Sequence, residues 1–92
     1  MQNTPSRLML KPAQLRLVLA IADHGQLQLA AETCAMTQPA ASRMLAEVER
    51  RIGAPLFTRT PKGMEPTEIG ATMLRRAAIA LRELESMGSD IE

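Results

Sequence analysis

Tryptophan and tyrosine are absent from this chain of 92 residues, and Phe57 is its one aromatic side chain. Its core must therefore be aliphatic, with seven methionines as adaptable filler. Cys34 is the single cysteine, so no internal disulfide can form, and a reducing cytoplasm suits the chain. His24 is the single histidine. It has no second His, no Cys pair and no Ser–acid set to work with, and reads as a solvated residue favoured by a helix C-terminus. No glycine-rich phosphate loop is present. An enzyme reading lacks its parts, and no cofactor or metal is expected. The longest apolar run, Leu17 to Ala22, is too short to span a bilayer, and no apolar stretch near the N-terminus has signal-peptide length. Large net charge is lacking too, at +1.

The distribution of charge says more than its sum. Between Thr37 and Gly63 the bases Arg43, Arg50, Arg51, Arg59 and Lys62 face only Glu47 and Glu49. From Glu83 onward come Glu83, Glu85, Asp90 and Glu92 with no base. Positive charge thus gathers in the middle, and the acidic tail would be kept away from a polyanion. A solvated surface can scatter charge in the same way.

Alanine and methionine favour helix. Met1 to Arg7 is polar and aperiodic, and residues 1–9 read as a loose arm, in which Arg7 could touch a phosphate. Helix one is expected from Pro12 to His24, with Gly25 just past its end. Leu15, Val18, Leu19 and Ala22 form its apolar stripe, widened by Leu17 and Ile21. Helix two is expected over 28–34, burying Leu27, Ala30, Ala31 and Cys34. Ala35-Met36-Thr37 then makes a tight turn. Helix three has both ends marked: Thr37 as N-cap, Pro39 in the first turn, Gly53 at the far end. Ala41, Met44, Leu45, Val48 and Ile52 share one face. Pro39, Arg43, Ala46 and Arg50 share the other, with Gln38 and Ser42 on its flank. A short helix, a turn of about four residues and a second helix with a slim, polar, cationic start suit a helix-turn-helix that reads base edges in a DNA major groove. A solvated polar face is the plain alternative.

Residues 54–60 have strand character, with Leu56 as core anchor and Phe57 packing under the hairpin tip or against helix one. Pro61-Lys62-Gly63 is a turn, and Pro66 limits the return strand to two or three residues. This is a two-stranded wing with Arg59 and Lys62 near its tip. Such a wing can lie on the phosphate backbone and send an arginine into the minor groove. Helix four starts at the Thr67 cap and runs to at least Ser86; Gly88 either ends or weakens it. Met73, Ala77, Ala80, Leu84, Met87 and Ile91 recur at a period of 3.5, the spacing of helix pairing, with Leu74 and Leu81 on a second line. So small a core cannot cover this face, so a second copy is the simplest partner. The seam alone leaves parallel and antiparallel pairing open. The fold expected is mainly α: a winged helix-turn-helix over 10–66, then a dimerisation helix over 67–92.

Together these parts resemble the N-terminal DNA-binding domain and linker helix of the LysR-type transcriptional regulators. The carriers are Leu15-Arg16, Gly25, Leu29-Ala30-Ala31-Glu32, Thr37-Gln38-Pro39-Ala40-Ala41-Ser42-Arg43, Glu49, Gly53, Leu56-Phe57-x-Arg59 and Thr67-Glu68-x-Gly70. The resemblance implies a bacterial regulator, a homodimer whose two recognition helices enter successive major grooves of double-stranded DNA. Gln38, Pro39, Ser42 and Arg43 would make base and backbone contacts. Thr37 and Thr67 would be caps near phosphate, and Arg59 the wing arginine in the minor groove. Gln26 and Gln28 depart from the family's Ser and Thr; Gln28 can still donate to phosphate but caps poorly. Cys34 replaces Leu, and Pro66 an aliphatic residue. Antiparallel pairing through Met73, Ala77, Ala80, Leu81, Leu84 and Met87 is implied, with higher oligomers open to a full-length protein. A larger effector-binding domain would follow the linker helix; none is present here, and a small-molecule inducer is expected only with it. A winged helix used only for protein contacts is the alternative.

Overall fold

The computed structural model describes residues 9–91. The arm's first eight residues, Arg7 among them, and Glu92 lie outside the described residues. Four helices and one hairpin follow in order: α1 (Pro12–His24), α2 (Leu27–Thr33), α3 (Gln38–Ile52), β1 (Phe57–Thr60), β2 (Gly63–Pro66) and α4 (Glu68–Ile91). This is a winged helix-turn-helix with a long C-terminal helix.

α1 is the central element and packs on α2, α3, α4 and β2. Pro12 opens it, the Lys11 N–H donates to Gln14 Oε1 at 2.8 Å, and Gly25 closes it at φ 72°. Its buried stripe is centred on Leu17, Val18 and Ile21, all fully enclosed. Leu19 and Ala22, expected within the stripe, lie at its half-buried margin. Each enclosed side chain contributes roughly 1.5–3 kcal/mol through removal from water. α2 begins one residue earlier than expected and ends at Thr33. Cys34 sits just past it, half-buried rather than in the core. Ala30 and Ala31 are enclosed, and their small side chains let α1 and α2 approach closely. The turn into α3 needs a left-handed residue, and Ala35 supplies it at φ 57°. Alanine carries no sequence signal for that conformation.

The return strand is longer than expected. β2 has four residues and ends on Pro66, which pairs with Phe57 at the open end of the hairpin. Proline is tolerated there because a terminal position need not donate to the ladder. Phe57 is buried at this base, away from the tip. The Met64 N–H donates to the Gly25 carbonyl at 2.8 Å and fastens the wing to the end of α1. Gly63 makes that approach possible: its φ is 124°, and a Cβ there would run into the Gly25 carbonyl.

Leu56 is tied from both sides. Its N–H donates to Glu49 Oε2 at 2.7 Å, and its carbonyl accepts from the Thr67 N–H at 2.9 Å. The same carbonyl lies where a Cβ on Gly70 would be, so α4 can start here only with glycine at that position. Glu49, Leu56, Thr67 and Gly70, scattered in sequence, thus form one joint between α3, the wing and α4.

α4 packs on α1 through Met73, Leu74 and Ala77, and beyond Leu81 every described residue is exposed. Gly88 does not end it. Ala77, expected on the dimer seam, is 2% exposed and fills the chain's own core instead, so no partner can reach it. No helix among the described residues is long and apolar enough to cross a membrane.

Candidate nucleic-acid interface

α3 is amphipathic, and its two faces have different work. Ala41, Leu45 and Val48 are buried, with Met44 and Ile52 at the edge of the core. Gln38, Pro39, Ser42, Arg43, Ala46 and Arg50 are exposed. The helix is therefore held from behind while the outer face of its first two turns stands in solvent. Thr37 caps it: the Ala40 N–H donates to Thr37 Oγ1 at 3.2 Å. That bond uses the hydroxyl as an acceptor and leaves its proton free for an anionic partner. The unpaired N–H groups of the first turn add partial positive charge at the same end.

The arginines of α3 divide into two kinds. Arg50 and Arg51 both grip Glu47, at 2.7 and 2.8 Å. These guanidiniums, Arg50 foremost, hold the Glu47 carboxyl below its ordinary value. Arg43, about two turns nearer the N-terminus, has no side-chain partner among the described residues. The free positive charge of α3 therefore sits beside Gln38 and Ser42. Glu47 escaped the sequence reading, although its spacing to Arg50 and Arg51 is the i,i+3 and i,i+4 signal for such pairs.

On the wing, Arg59 is exposed and pairs in register with Met64, one step before the closing Thr60–Gly63 pair. Lys62 is exposed in the turn itself. Thr60 braces that turn: its hydroxyl donates to the Gly63 carbonyl and accepts from the Lys62 N–H, both at 3.1 Å. Neither base has a side-chain partner among the described residues. The Met64–Gly25 bond sets the wing beside the entry to α2, where Gln28 is exposed. Gln26 precedes α2 without a side-chain cap, as its amide predicts.

Thr67 differs from Thr37. Its hydroxyl accepts from the Gly70 N–H at 3.0 Å and donates to the Pro55 carbonyl at 2.8 Å. A hydroxyl has one proton, so a phosphate contact from Thr67 would require breaking the Pro55 bond. His24 is exposed and shares a 2.8 Å hydrogen bond with the Thr33 hydroxyl, which links the ends of α1 and α2. No cluster of metal-ligating side chains occurs among the described residues.

Comparison with known proteins places this geometry. Residues 12–71 match the family described as bacterial regulatory helix-turn-helix protein, lysR family. The chain is 38% identical over 82 residues to the HTH-type transcriptional regulator GbpR of Azospirillum brasilense, covering 89% of this chain and 24% of GbpR. It is 40% identical over 78 residues to the small neutral protease regulatory protein of Streptomyces coelicolor, covering 85% and 24% respectively. The chain therefore spans about a quarter of the length of these relatives. Among solved structures, Vibrio fischeri DarR in complex with DNA superposes with a TM-score of 0.84 at 30% identity, over 90% of this chain and 28% of that one. The complex of the CbnR DNA-binding domain with DNA gives 0.81 at 27% identity, over 88% and 93%. The family match covers α1 through the start of α4, with the recognition helix, its cap and the wing inside it, and the chain belongs to the LysR family of bacterial regulatory helix-turn-helix proteins.

Proposed function

We propose that this chain is the DNA-reading part of a transcription regulator, binding a dyad-symmetric promoter site as a dimer. One observation carries the reading. α3 is anchored by Ala41, Leu45 and Val48 and offers Gln38, Ser42 and the unpaired Arg43 from a capped, exposed N-terminus. Gln38 reads a base edge, since its amide can pair bidentately with adenine. Ser42 and Arg43 reach bases or phosphates, and Pro39 lies against the sugar–phosphate backbone. The Thr37 hydroxyl donates its free proton to a phosphate, and Gln28 does so from α2. Lys62 meets the backbone, while Arg59 enters the minor groove. Thr67 holds the joint at the foot of α4. The solved complexes of DarR and of the CbnR DNA-binding domain with DNA support this assignment by fold.

Dimerisation runs through the exposed or half-buried seam of α4: Met73, Ala80, Leu81, Leu84 and Met87. Two linked readers bind two half-sites far more tightly than either binds alone. The reading places the chain in the bacterial cytoplasm, on the nucleoid when bound. A salt titration of duplex binding tests it. Affinity should fall log-linearly with salt as phosphate counterions are released. Failure to bind any promoter-like duplex at low salt would leave a winged helix that serves protein contacts through α4.

A further inference from the structure

The two acids of α3 are used differently. Glu49 turns to the joint with the wing, where its carboxylate accepts from the Leu56 N–H at 2.7 Å. Glu47 lies on the outer side of the helix and holds two arginines at once. Arg50 donates to both of its oxygens, at 3.1 and 2.7 Å, and Arg51 donates to Oε2 at 2.8 Å. Both arginines already stand in the last turn of α3, where a cation complements the helix dipole without any carboxylate. Exposed pairs along one helix add little to stability. The larger consequence lies in what the arginines are kept from.

Arg50 shares the exposed face of Arg43, seven residues on and about 10 Å farther along the axis. Its side chain is 70% exposed. When a helix lies in a major groove, a base beyond its reading turns has phosphates within reach whatever the sequence. Left free, Arg50 and Arg51 would add affinity for every duplex alike and preference for none. Glu47 opposes this in two ways. Its carboxylate takes the guanidinium N–H groups that a phosphate would take, and its own charge repels the phosphate. Arg43, nearer Gln38, is left without a side-chain partner among the described residues. The acid is thus matched with the bases that cannot read sequence and spares the one placed to do so.

We propose that Glu47 is a specificity-determining residue, whose carboxylate holds Arg50 and Arg51 off the phosphates of non-cognate DNA. This rests on the DNA-reading function above. In the loose complexes formed with an arbitrary duplex the two pairs stay closed. Where Gln38 and Arg43 find their bases, α3 is fully seated and Arg50 exchanges the carboxylate for a phosphate.

The test is duplex binding over a salt series with two labelled probes, a random-sequence duplex and a site selected from a random pool. Helicity is recorded for each variant to confirm folding. Glu47→Gln should bind the random duplex with a log–log salt slope steeper by about 0.9 for each phosphate gained. One such contact makes binding roughly tenfold tighter at about 0.1 M salt and no tighter at about 1 M. The gain on the selected site should be severalfold smaller, so that discrimination falls. Glu85→Gln makes the same change in net charge on the distal part of α4 and should match wild type. Adding Arg50→Gln and Arg51→Gln should return Glu47→Gln to the wild-type slope. An unchanged slope in Glu47→Gln, weaker binding to the random duplex or an equal gain on both probes would overturn this role for Glu47. So would an equal gain in Glu85→Gln, or a steep slope that survives loss of both arginines. Each of these leaves the DNA reading standing. A wild-type chain that binds no duplex at low salt would overturn the DNA reading with it.

Discussion

Gln38 is the side chain on which base preference should rest. It stands in the first turn of α3, exposed, next to the free hydroxyl of Thr37 and the unpaired Arg43. Gln38→Ala should cost about 1–3 kcal/mol at one base position and flatten the preference there. A uniform loss across all sequences would make Gln38 a phosphate contact. Glu47 acts differently, as an internal counter-charge for Arg50 and Arg51. Its carboxyl is held below the ordinary value of 4.5 by those two guanidiniums. A lowered carboxylate stabilises the fold above its unfolded value and ceases to do so as pH falls through the folded one. The Tm advantage of wild type over Glu47→Gln should therefore be present at neutral pH and shrink below about pH 4.5. A difference independent of pH would mean that the pair contributes through packing alone.

At the scale of elements, α1, α3 and the start of α4 were legible because each carries its own punctuation: Pro12 and Gly25, Thr37 and Gly53, Thr67 and Glu68. What escaped was decided across the chain. The length of β2 depends on pairing between Phe57 and Pro66, and the seat of the wing on a bond from Met64 to Gly25. Periodicity put Ala77 on the seam, and packing against α1 took it into the core. The exposed site residues Gln38, Ser42, Arg43, Arg59 and Lys62 were readable from residue type and position, since nothing in the fold covers them. Ile79, 57% exposed and off the seam, has no account in this arrangement. The wing yields its own prediction. Arg59→Ala should weaken binding most on sites with A·T-rich flanks, where the minor groove is narrow and its potential most negative. Equal loss on G·C-rich flanks would make Arg59 an ordinary phosphate contact. For α4, Leu84→Asp should give folded monomers that bind a full dyad site far more weakly than a dimer does. Leu84 touches no core, so the variant should stay folded and lose only the concentration-dependent part of its Tm that dimerisation supplies. Unaltered sedimentation would show that the seam lies elsewhere.

For the whole molecule, a net charge of +1 is too small to attract DNA by itself. Function must come from arrangement: exposed bases on α3 and the wing, and acids at the far end of α4. Such a molecule should discriminate by sequence more than it binds by charge. Selection of bound fragments from a random duplex pool by the 92-residue chain measures that property directly. The expected outcome is enrichment of a dyad-symmetric sequence whose half-sites lie about one helical turn, or a multiple of it, apart. A selected pool no different from the starting pool would contradict sequence-specific binding by this chain.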